Sequence, residues 1–268
     1  MLEYVLPMTE IPFYQVDAFT SRVFAGNPAG VCLLDEWLDD RTLQSIAAEN
    51  NLSETAFLVK AGEGYGLRWF TPTMEVDLCG HATLASAFVL LRSAGPEVYR
   101  VDFQTKSGVL SVERRGDLLV MDFPARPPEP VSAPPGIDRI LGLRPSSVLK
   151  SRDLFVVCEE EEQVRQVAPD LAAIADLDYL GVIVTAKGRE CDFVSRFFAP
   201  RAGVPEDPVT GSAHCTLVPY WSGRLGKRDL RALQLSARGG ELFCVDKGKR
   251  VLIGGRAALY LSGTITLG

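Results

Sequence analysis

The chain of 268 residues has only two histidines, and each lies in a short motif that also contains a glycine. The motifs are Cys79-Gly-His-Ala-Thr83 and Thr210-Gly-Ser-Ala-His214. Each leads into an apolar stretch that predicts a buried helix. Because a helix start presents free backbone N–H groups and a partial positive charge, both motifs predict a place that binds an anion, most naturally a carboxylate.

Four residues of these motifs are candidate substrate-binding residues: Gly80, His81, Gly211 and Ser212. A glycine lets a ligand approach the backbone closely, and the polar residue after it adds a side chain at the helix start. His81 directly follows its glycine, which favours a functional role. His214 lies further into its helix, which favours a role in capping or packing.

Acidic residues near these motifs could move protons or hold a cation. Asp207 precedes a proline, which favours an extended turn. It could cap the second helix, hold a ligand ammonium group or donate a hydrogen bond. Glu206 beside it is expected to be solvated. Glu54, preceded by Ser53, stands before an apolar strand, where a partly desolvated carboxylate suits proton transfer, although an isolated glutamate is more often surface charge.

The elements that must position these residues form two similar halves. A proline-rich segment, 124–135, predicts an extended connector near the middle of the chain. Three landmarks recur in the two halves at offsets of 128, 131 and 132 residues; the pairs are Arg68 and Arg196, Gly80 and Gly211, and Gly108 and Gly240. The nearly constant offset favours an internal duplication.

Each half is predicted to be a curved or barrel-like β-sheet around a central α-helix, which is an α+β fold. Short apolar segments bounded by turn residues predict strands at 13–19, 30–34, 67–70, 101–104, 109–113 and 118–123. A helix capped near Asp39 is expected to end at Asn50. The central helices are predicted over 82–91 and 213–221, and Pro219 is expected to kink or end the second one.

Composition and charge exclude several classes of function. Hydrophobic residues make up 47% of the chain and charged residues 23%, which is typical of globular proteins. The net charge of −6 leaves no basic surface for nucleic acid, and no apolar run reaches the roughly 18 residues of a membrane span. The six cysteines show no C-x-x-C spacing, which disfavours a zinc site. Scattered cysteines without an export signal predict a cytoplasmic protein.

Six segments of the chain form a recognisable set: Asp17-Ala-Phe-Thr, Phe24-Ala-Gly-Asn27-Pro-Ala-Gly-Val31, Asn51-Leu-Ser-Glu54-Thr-Ala-Phe, Arg68-Trp-Phe-Thr-Pro, Cys79-Gly-His-Ala-Thr and Glu206-Asp-Pro-Val-Thr-Gly-Ser212-Ala. Together, in order and over essentially the whole chain, they resemble the phenazine-biosynthesis PhzF-like isomerase family. The resemblance implies the diaminopimelate-epimerase fold, with two pseudo-twofold-related domains and the active site between them. It also implies a homodimer that needs no cofactor and no metal.

The resemblance implies a role for each candidate residue. Glu54 would be the general acid/base of a reaction that moves a proton on a small-molecule carboxylate. Characterised members isomerise trans-2,3-dihydro-3-hydroxyanthranilate in this way. The residues implied in substrate binding are Ser53, Gly80, His81, Asp207, Gly211 and Ser212. The predicted domains are 1–125, completed by about 259–268, and 126–258.

Two alternative functions stay open. Epimerases and racemases of this fold use one thiol from each domain, and Cys79 and Cys215 would be the thiols here. The alignment, however, puts the first thiol position on Gly80 and places Asp207 near the second, and Cys215 is expected to be a core residue. The other alternative is a non-catalytic protein of the same fold that binds a small ligand, since fold alone does not determine function.

Overall fold

The computed structural model describes residues 9–95 and 97–268, which fall into two compact units. Unit 1 comprises the chain up to Phe24, Pro28–Leu119 and Ala257–Gly268. Unit 2 comprises Ala25–Asn27 and Val120–Arg256. The domain boundaries expected from the sequence, with their junction at 125/126, stay a prediction.

The elements of the first half are, in chain order, β1 (Thr9–Ala18), β2 (Asn27–Leu34), α1 (Asp40–Asn50), β3 (Glu54–Ala61), β4 (Gly64–Phe70), β5 (Glu75–Val76), α2 (Gly80–Ser93), β6 (Arg100–Thr105) and β7 (Gly108–Arg115). They are followed by β8 (Leu118–Pro124), β9 (Glu129–Pro130), α3 (Ile137–Leu141), β10 (Ser147–Lys150), β11 (Leu154–Val157), α4 (Glu161–Gln166), α5 (Leu171–Ala175), β12 (Val182–Lys187) and β13 (Phe193–Phe198). A 3₁₀ turn (Pro200–Ala202) leads to α6 (Gly211–Leu225), β14 (Asp229–Gln234), β15 (Gly240–Asp246), β16 (Arg250–Gly255) and β17 (Ala257–Leu267).

Helix α2 is the central element of unit 1. It contacts β1, β3, β6, β7 and β17, so strands surround it on several sides. Most of its residues are buried, as expected for a helix that is apolar on nearly every face. In unit 2 the corresponding helix, α6, contacts β14, β15 and β16. Within the described ranges, no helix is both long and apolar enough to cross a lipid bilayer.

The two units repeat one order of strand pairing. In unit 1, β2 pairs parallel with β3, β3 antiparallel with β4, β4 parallel with β6, and β6 antiparallel with β7. In unit 2, β11, β12, β13, β14 and β15 repeat this alternation of parallel and antiparallel pairs. The central helix follows the third strand of the series in each case. This common order agrees with the internal duplication inferred from the recurring motifs.

Helix α1 agrees with its sequence signals at both ends. The side chain of Asp39 accepts a hydrogen bond from the backbone N–H of Thr42, and Asn51 ends the helix in the left-handed conformation with φ of 49°. The buried face consists of Leu43, Ile46 and Ala47. The expectation that this helix is capped near Asp39 and ends at Asn50 is therefore confirmed, and its end positions β3 and Glu54.

Pro219 was expected to kink or end the second central helix, and the second of these outcomes does not occur. Helix α6 continues through Pro219 to Leu225. A proline has no N–H to donate to the carbonyl four residues earlier, which here belongs to Cys215. The backbone N–H of Arg126 donates to that carbonyl at 2.8 Å instead. The proline-rich connector thus supplies the hydrogen bond that the helix lacks.

The hydrogen bond from the Arg126 N–H to the Cys215 carbonyl is expected to contribute to the free energy of unfolding. Arg126→Pro removes the N–H and leaves the buried Cys215 carbonyl without it, which costs about 1–3 kcal/mol for an unsatisfied buried group. Arg126→Ala is the matched control because it removes the side chain and keeps the N–H. Urea denaturation should show a lower free energy of unfolding for Arg126→Pro than for Arg126→Ala. Equal values would mean that the contact does not support the helix.

Candidate active site

The start of α2 holds two of the predicted site residues. Gly80 is the first residue of the helix and is half-buried, and His81 is the second and only 5% exposed. Cys79 occupies the N-cap position in an extended conformation, and across the described residues it makes no side-chain cap bond. The helix start therefore keeps backbone donors and the positive end of its dipole for another partner.

Glu54, the first residue of β3, is the group that meets this helix start. Its Oε2 lies 3.0 Å from Nε2 of His81. Oε2 is buried, and no other hydrogen-bond partner for it exists among the described residues. The Glu54 side chain as a whole is 16% exposed, so it is not sealed completely from solvent. Ser53, directly before Glu54, is half-buried in the same turn.

Cys79 completes a buried cluster with these two residues. Its Sγ lies 3.5 Å from Nδ1 of His81, so each ring nitrogen faces a different partner. Burial raises the pKa of the Cys79 thiol to about 11, and the nearby charge of Glu54 acts in the same direction. Burial alone would lower the pKa of His81, but Cys79 and Glu54 outweigh it and hold that pKa well above its ordinary value.

The same three residues include donor groups of the kinds that bind metal ions. One donor atom from each of Glu54, Cys79 and His81 lies within 4.8 Å of the others. A single ion would bind one ring nitrogen, whereas here the thiol contacts Nδ1 and the carboxylate contacts Nε2. In the observed arrangement the two ring nitrogens of His81 therefore face two different groups.

Asp207 of unit 2 is held by a hydrogen-bond network. Nδ2 of Asn27 donates to its Oδ1 at 2.7 Å, and Oγ1 of Thr210 donates to its Oδ2 at 2.6 Å. Nε2 of Gln234 donates to the backbone carbonyl of Asp207 at 2.7 Å. Asn27 and Gln234 were not singled out from the sequence, because nothing local links either residue to an aspartate so distant along the chain.

Ser212 and Gly211 lie at the start of α6. Thr210 is the N-cap, and within the part of the chain that the structure describes it makes no side-chain cap bond. Nη2 of Arg152 donates to Oγ of Ser212 at 3.1 Å and to Oδ2 of the buried Asp153 at 3.0 Å. Since the guanidinium can only donate, the hydroxyl hydrogen of Ser212 remains available for another acceptor. Arg152 was missed because it lies far from α6 in sequence.

Glu206 is not solvated as expected. Its carboxylate accepts two hydrogen bonds from Arg196, at 2.6 and 2.9 Å, and the glutamate side chain is only 24% exposed. Unit 1 has the same bidentate pair between Arg68 and Glu75, at 2.8 and 2.9 Å. The arginine hydrogen bonds lower the pKa of Glu75 to about 2. In each unit the arginine lies on the third strand of the series, and the glutamate follows it before the central helix. The expectation that Glu206 is solvated failed because the sequence around one charged residue does not show which residue pairs with it.

His214 and Cys215 are core residues of α6. His214 is fully buried, and its Nδ1 lies 2.8 Å from the carbonyl oxygen of Thr210. Because a carbonyl only accepts, Nδ1 carries the proton, and a second proton would have to go to Nε2. Nε2 is buried and has no hydrogen-bond partner among the described residues, so burial lowers the pKa of His214 to about 4. Burial also raises the pKa of Cys215 to about 11.

The fold defines a class of isomerases and epimerases. A phenazine biosynthesis protein of the PhzF family from Enterococcus faecalis superposes with a TM-score of 0.95 and 48% identity, over 97% of this chain and 100% of that chain. A predicted epimerase from Pseudomonas aeruginosa has the same fold, with a TM-score of 0.73 and 20% identity over 95% of this chain and 99% of that chain. The predicted diaminopimelate-epimerase-like α+β fold class is therefore confirmed.

Sequence comparison identifies the family. The profile of the phenazine biosynthesis-like proteins (PhzC-PhzF) matches residues 16–263. An uncharacterized isomerase from Pseudomonas aeruginosa is 55% identical over 258 residues, which cover 96% of this chain and 100% of the relative. The chain belongs to the phenazine biosynthesis-like PhzF family, as the resemblance of its motifs indicated.

The neutral His214 generates a prediction about stability against pH. Its pKa is 6.5 for the free side chain and about 4 in the folded protein, so the unfolded chain binds more protons between these values. The contribution of His214 is complete above about pH 6.5 and falls by about 1.4 kcal/mol per pH unit as the pH decreases towards 4.

The measurement compares His214→Asn with the unaltered protein, because the asparagine amide can still donate to Thr210 but does not titrate. Urea denaturation at pH values from 7 to 4 should show a shallower loss of stability for the variant. Carboxylate titration is common to both proteins and cancels in the difference. Parallel curves would show that His214 is not the buried neutral base described here.

Proposed function

We propose that this protein is a cofactor-independent isomerase that moves a proton on a small carboxylate substrate, with Glu54 as the single general acid/base. The observation that carries the proposal is the position of Glu54, whose Oε2 is buried against His81 while the side chain stays 16% exposed, beside the uncapped start of α2. The names of relatives as isomerases, and the fold shared with epimerases, support the same reaction class.

The chemistry requires only that one proton leave one carbon and arrive at another. Oε1 of the ionised Glu54 accepts a proton from a carbon adjacent to an unsaturated system, and the electron pair delocalises into that system. The positive end of α2 favours the negative charge that develops. The protonated carboxyl of Glu54 then returns its proton to a different carbon of the substrate, so the reaction consumes no co-reactant.

We extend the proposal to three residues of unit 2 as substrate-binding groups. Gly211 and Ser212 stand at an uncapped helix start, and Ser212 has a hydroxyl hydrogen to donate, which together suit a carboxylate. Asp207 is oriented by Asn27 and Thr210 and suits a donor such as an amino group. We also propose Ser53, Gly80 and His81 of unit 1 as substrate-binding residues.

The thiol-based alternative receives less support. A two-thiol racemase needs a thiolate to remove a proton, and the thiolate fraction depends on the thiol pKa. Burial raises the pKa of both Cys79 and Cys215 to about 11, which keeps each thiol protonated at neutral pH.

The proposal predicts that Glu54→Gln folds normally but loses turnover. Positioned proton transfer contributes ~10²–10⁴-fold, so kcat should fall by at least about 10²-fold. The assay follows trans-2,3-dihydro-3-hydroxyanthranilate and a panel of amino-acid-derived carboxylates in D₂O by proton NMR, and scores isomerisation and deuterium uptake. Glu49→Gln removes an exposed carboxylate from α1 and is the matched control, which should retain full activity.

Three outcomes would contradict the proposal. Retained turnover in Glu54→Gln would show that Glu54 is not the general acid/base. Loss of exchange in Cys79→Ser and Cys215→Ser, with exchange intact in Glu54→Gln, would favour the two-thiol reaction. Tight binding without deuterium uptake for any compound of the panel would favour a non-catalytic protein that binds small ligands.

A further inference from the structure

The proposed reaction leaves one buried reactive group of the cluster without a role. Cys79 is 6% exposed, and its sulfur faces Nδ1 of His81, the ring nitrogen turned away from Glu54. A buried cysteine usually behaves as a small apolar residue. Here the thiol instead contacts Nδ1 of His81, and the other ring nitrogen of the same histidine contacts the carboxylate of Glu54. The surroundings of the thiol are therefore polar on this side.

We propose that Cys79 is a positioning residue: its sulfur accepts the Nδ1–H of His81 and keeps the ring protonated on both nitrogens, with Nε2–H directed at Oε2 of Glu54. The distances of 3.5 Å between Sγ and Nδ1 and 3.0 Å between Nε2 and Oε2 suit these two contacts. The cluster then consists of the anionic carboxylate of Glu54, the cationic ring of His81 and the neutral thiol of Cys79, with the ring between the other two.

The need to compensate a buried charge favours this assignment over a neutral ring. Oε2 of Glu54 is buried, and Nε2 of His81 is the polar atom beside it, so an ionised Glu54 requires a cation at that position. With the ring charged, Nδ1 also carries a proton, and that proton needs an acceptor in the buried site. Sulfur is a weak acceptor, and Sγ of Cys79 lies 3.5 Å from Nδ1.

Two neighbours of His81 favour its charged form. Burial lowers the pKa of His81, whereas the charge of Glu54, from the packed strand β3, and the hydrogen bond with Cys79, at the N-cap of its own helix, both raise it. The thiol pKa of about 11 keeps Cys79 neutral at neutral pH, which leaves its sulfur lone pairs free to accept the Nδ1–H. The pair of charges therefore resides on Glu54 and His81.

The consequence for the reaction rests on the proposed function of Glu54. If His81 lost its second proton, the buried Oε2 would lose the cation beside it. Cys79 would thus support the contact between His81 and Glu54 without contacting the substrate.

The test reads the protonation of His81 directly and needs no substrate. The full chain is labelled with ¹⁵N-histidine; because it contains only His81 and His214, the variant His214→Asn assigns both rings. Long-range ¹H–¹⁵N spectra are recorded from pH 5 to 9. At pH 7.5, above the ordinary histidine pKa of about 6.5, both ring nitrogens of His81 should give the chemical shifts of protonated nitrogen.

Substitutions of the cysteine then separate acceptance of the proton from packing. Cys79→Ala should lower the midpoint of the His81 titration by about half a pH unit or more, the size expected of a weak hydrogen bond to sulfur. Cys79→Ser supplies an oxygen acceptor and should retain the midpoint. Cys191→Ala, which removes a thiol elsewhere, should leave it unchanged.

Two results would overturn the proposal. The first is a neutral His81 in the unaltered protein at pH 7.5, with Nδ1 unprotonated. The second is a midpoint in Cys79→Ala equal to that of the unaltered protein; if the alanine variant does not fold, a midpoint in Cys79→Ser lowered by half a unit or more decides in the same way. These results are independent of turnover in Glu54→Gln, so a failure of this inference is distinguishable from a failure of the proposed function.

Discussion

The contact between Oε2 of Glu54 and Nε2 of His81 is the interaction on which the site in unit 1 depends. It lies at the start of a helix that is buried on nearly every face, where an uncompensated charge would be costly. In the function that we propose, this contact orients Glu54 as the general base, and the helix dipole favours negative charge at the same place.

The two units share one arrangement of strands and a central helix, but they carry different side chains at the helix start. Both units have the same order of strand pairing, an arginine–glutamate pair before the central helix and an uncapped helix start. In unit 1 the histidine directly follows the glycine and meets a carboxylate. In unit 2 the histidine is displaced into the helix, where it is neutral and buried, and Ser212 takes the polar position at the start.

The burial of the two thiols favours the single-carboxylate reaction that we propose over a two-thiol racemase. Burial raises the pKa of both Cys79 and Cys215 to about 11. Membership of the PhzF family is consistent with the single-carboxylate reaction that we propose, and it does not identify the substrate. The substrate depends on which groups surround Oε1 of Glu54.

Local rules in the sequence determined the helix ends, the alternation of strands, the duplication and the identity of the two helix starts, because capping residues, glycines and apolar periodicity act over a few residues. Tertiary structure alone decided the partners: Asn27 on Asp207, Arg152 on Ser212, Arg196 on Glu206, and the Arg126 N–H that lets α6 pass through Pro219. These contacts join residues that are remote along the chain or meet only once the strands have paired. The reason is that a hydrogen bond or charge pair depends on distance in space, and only the folded backbone determines that distance.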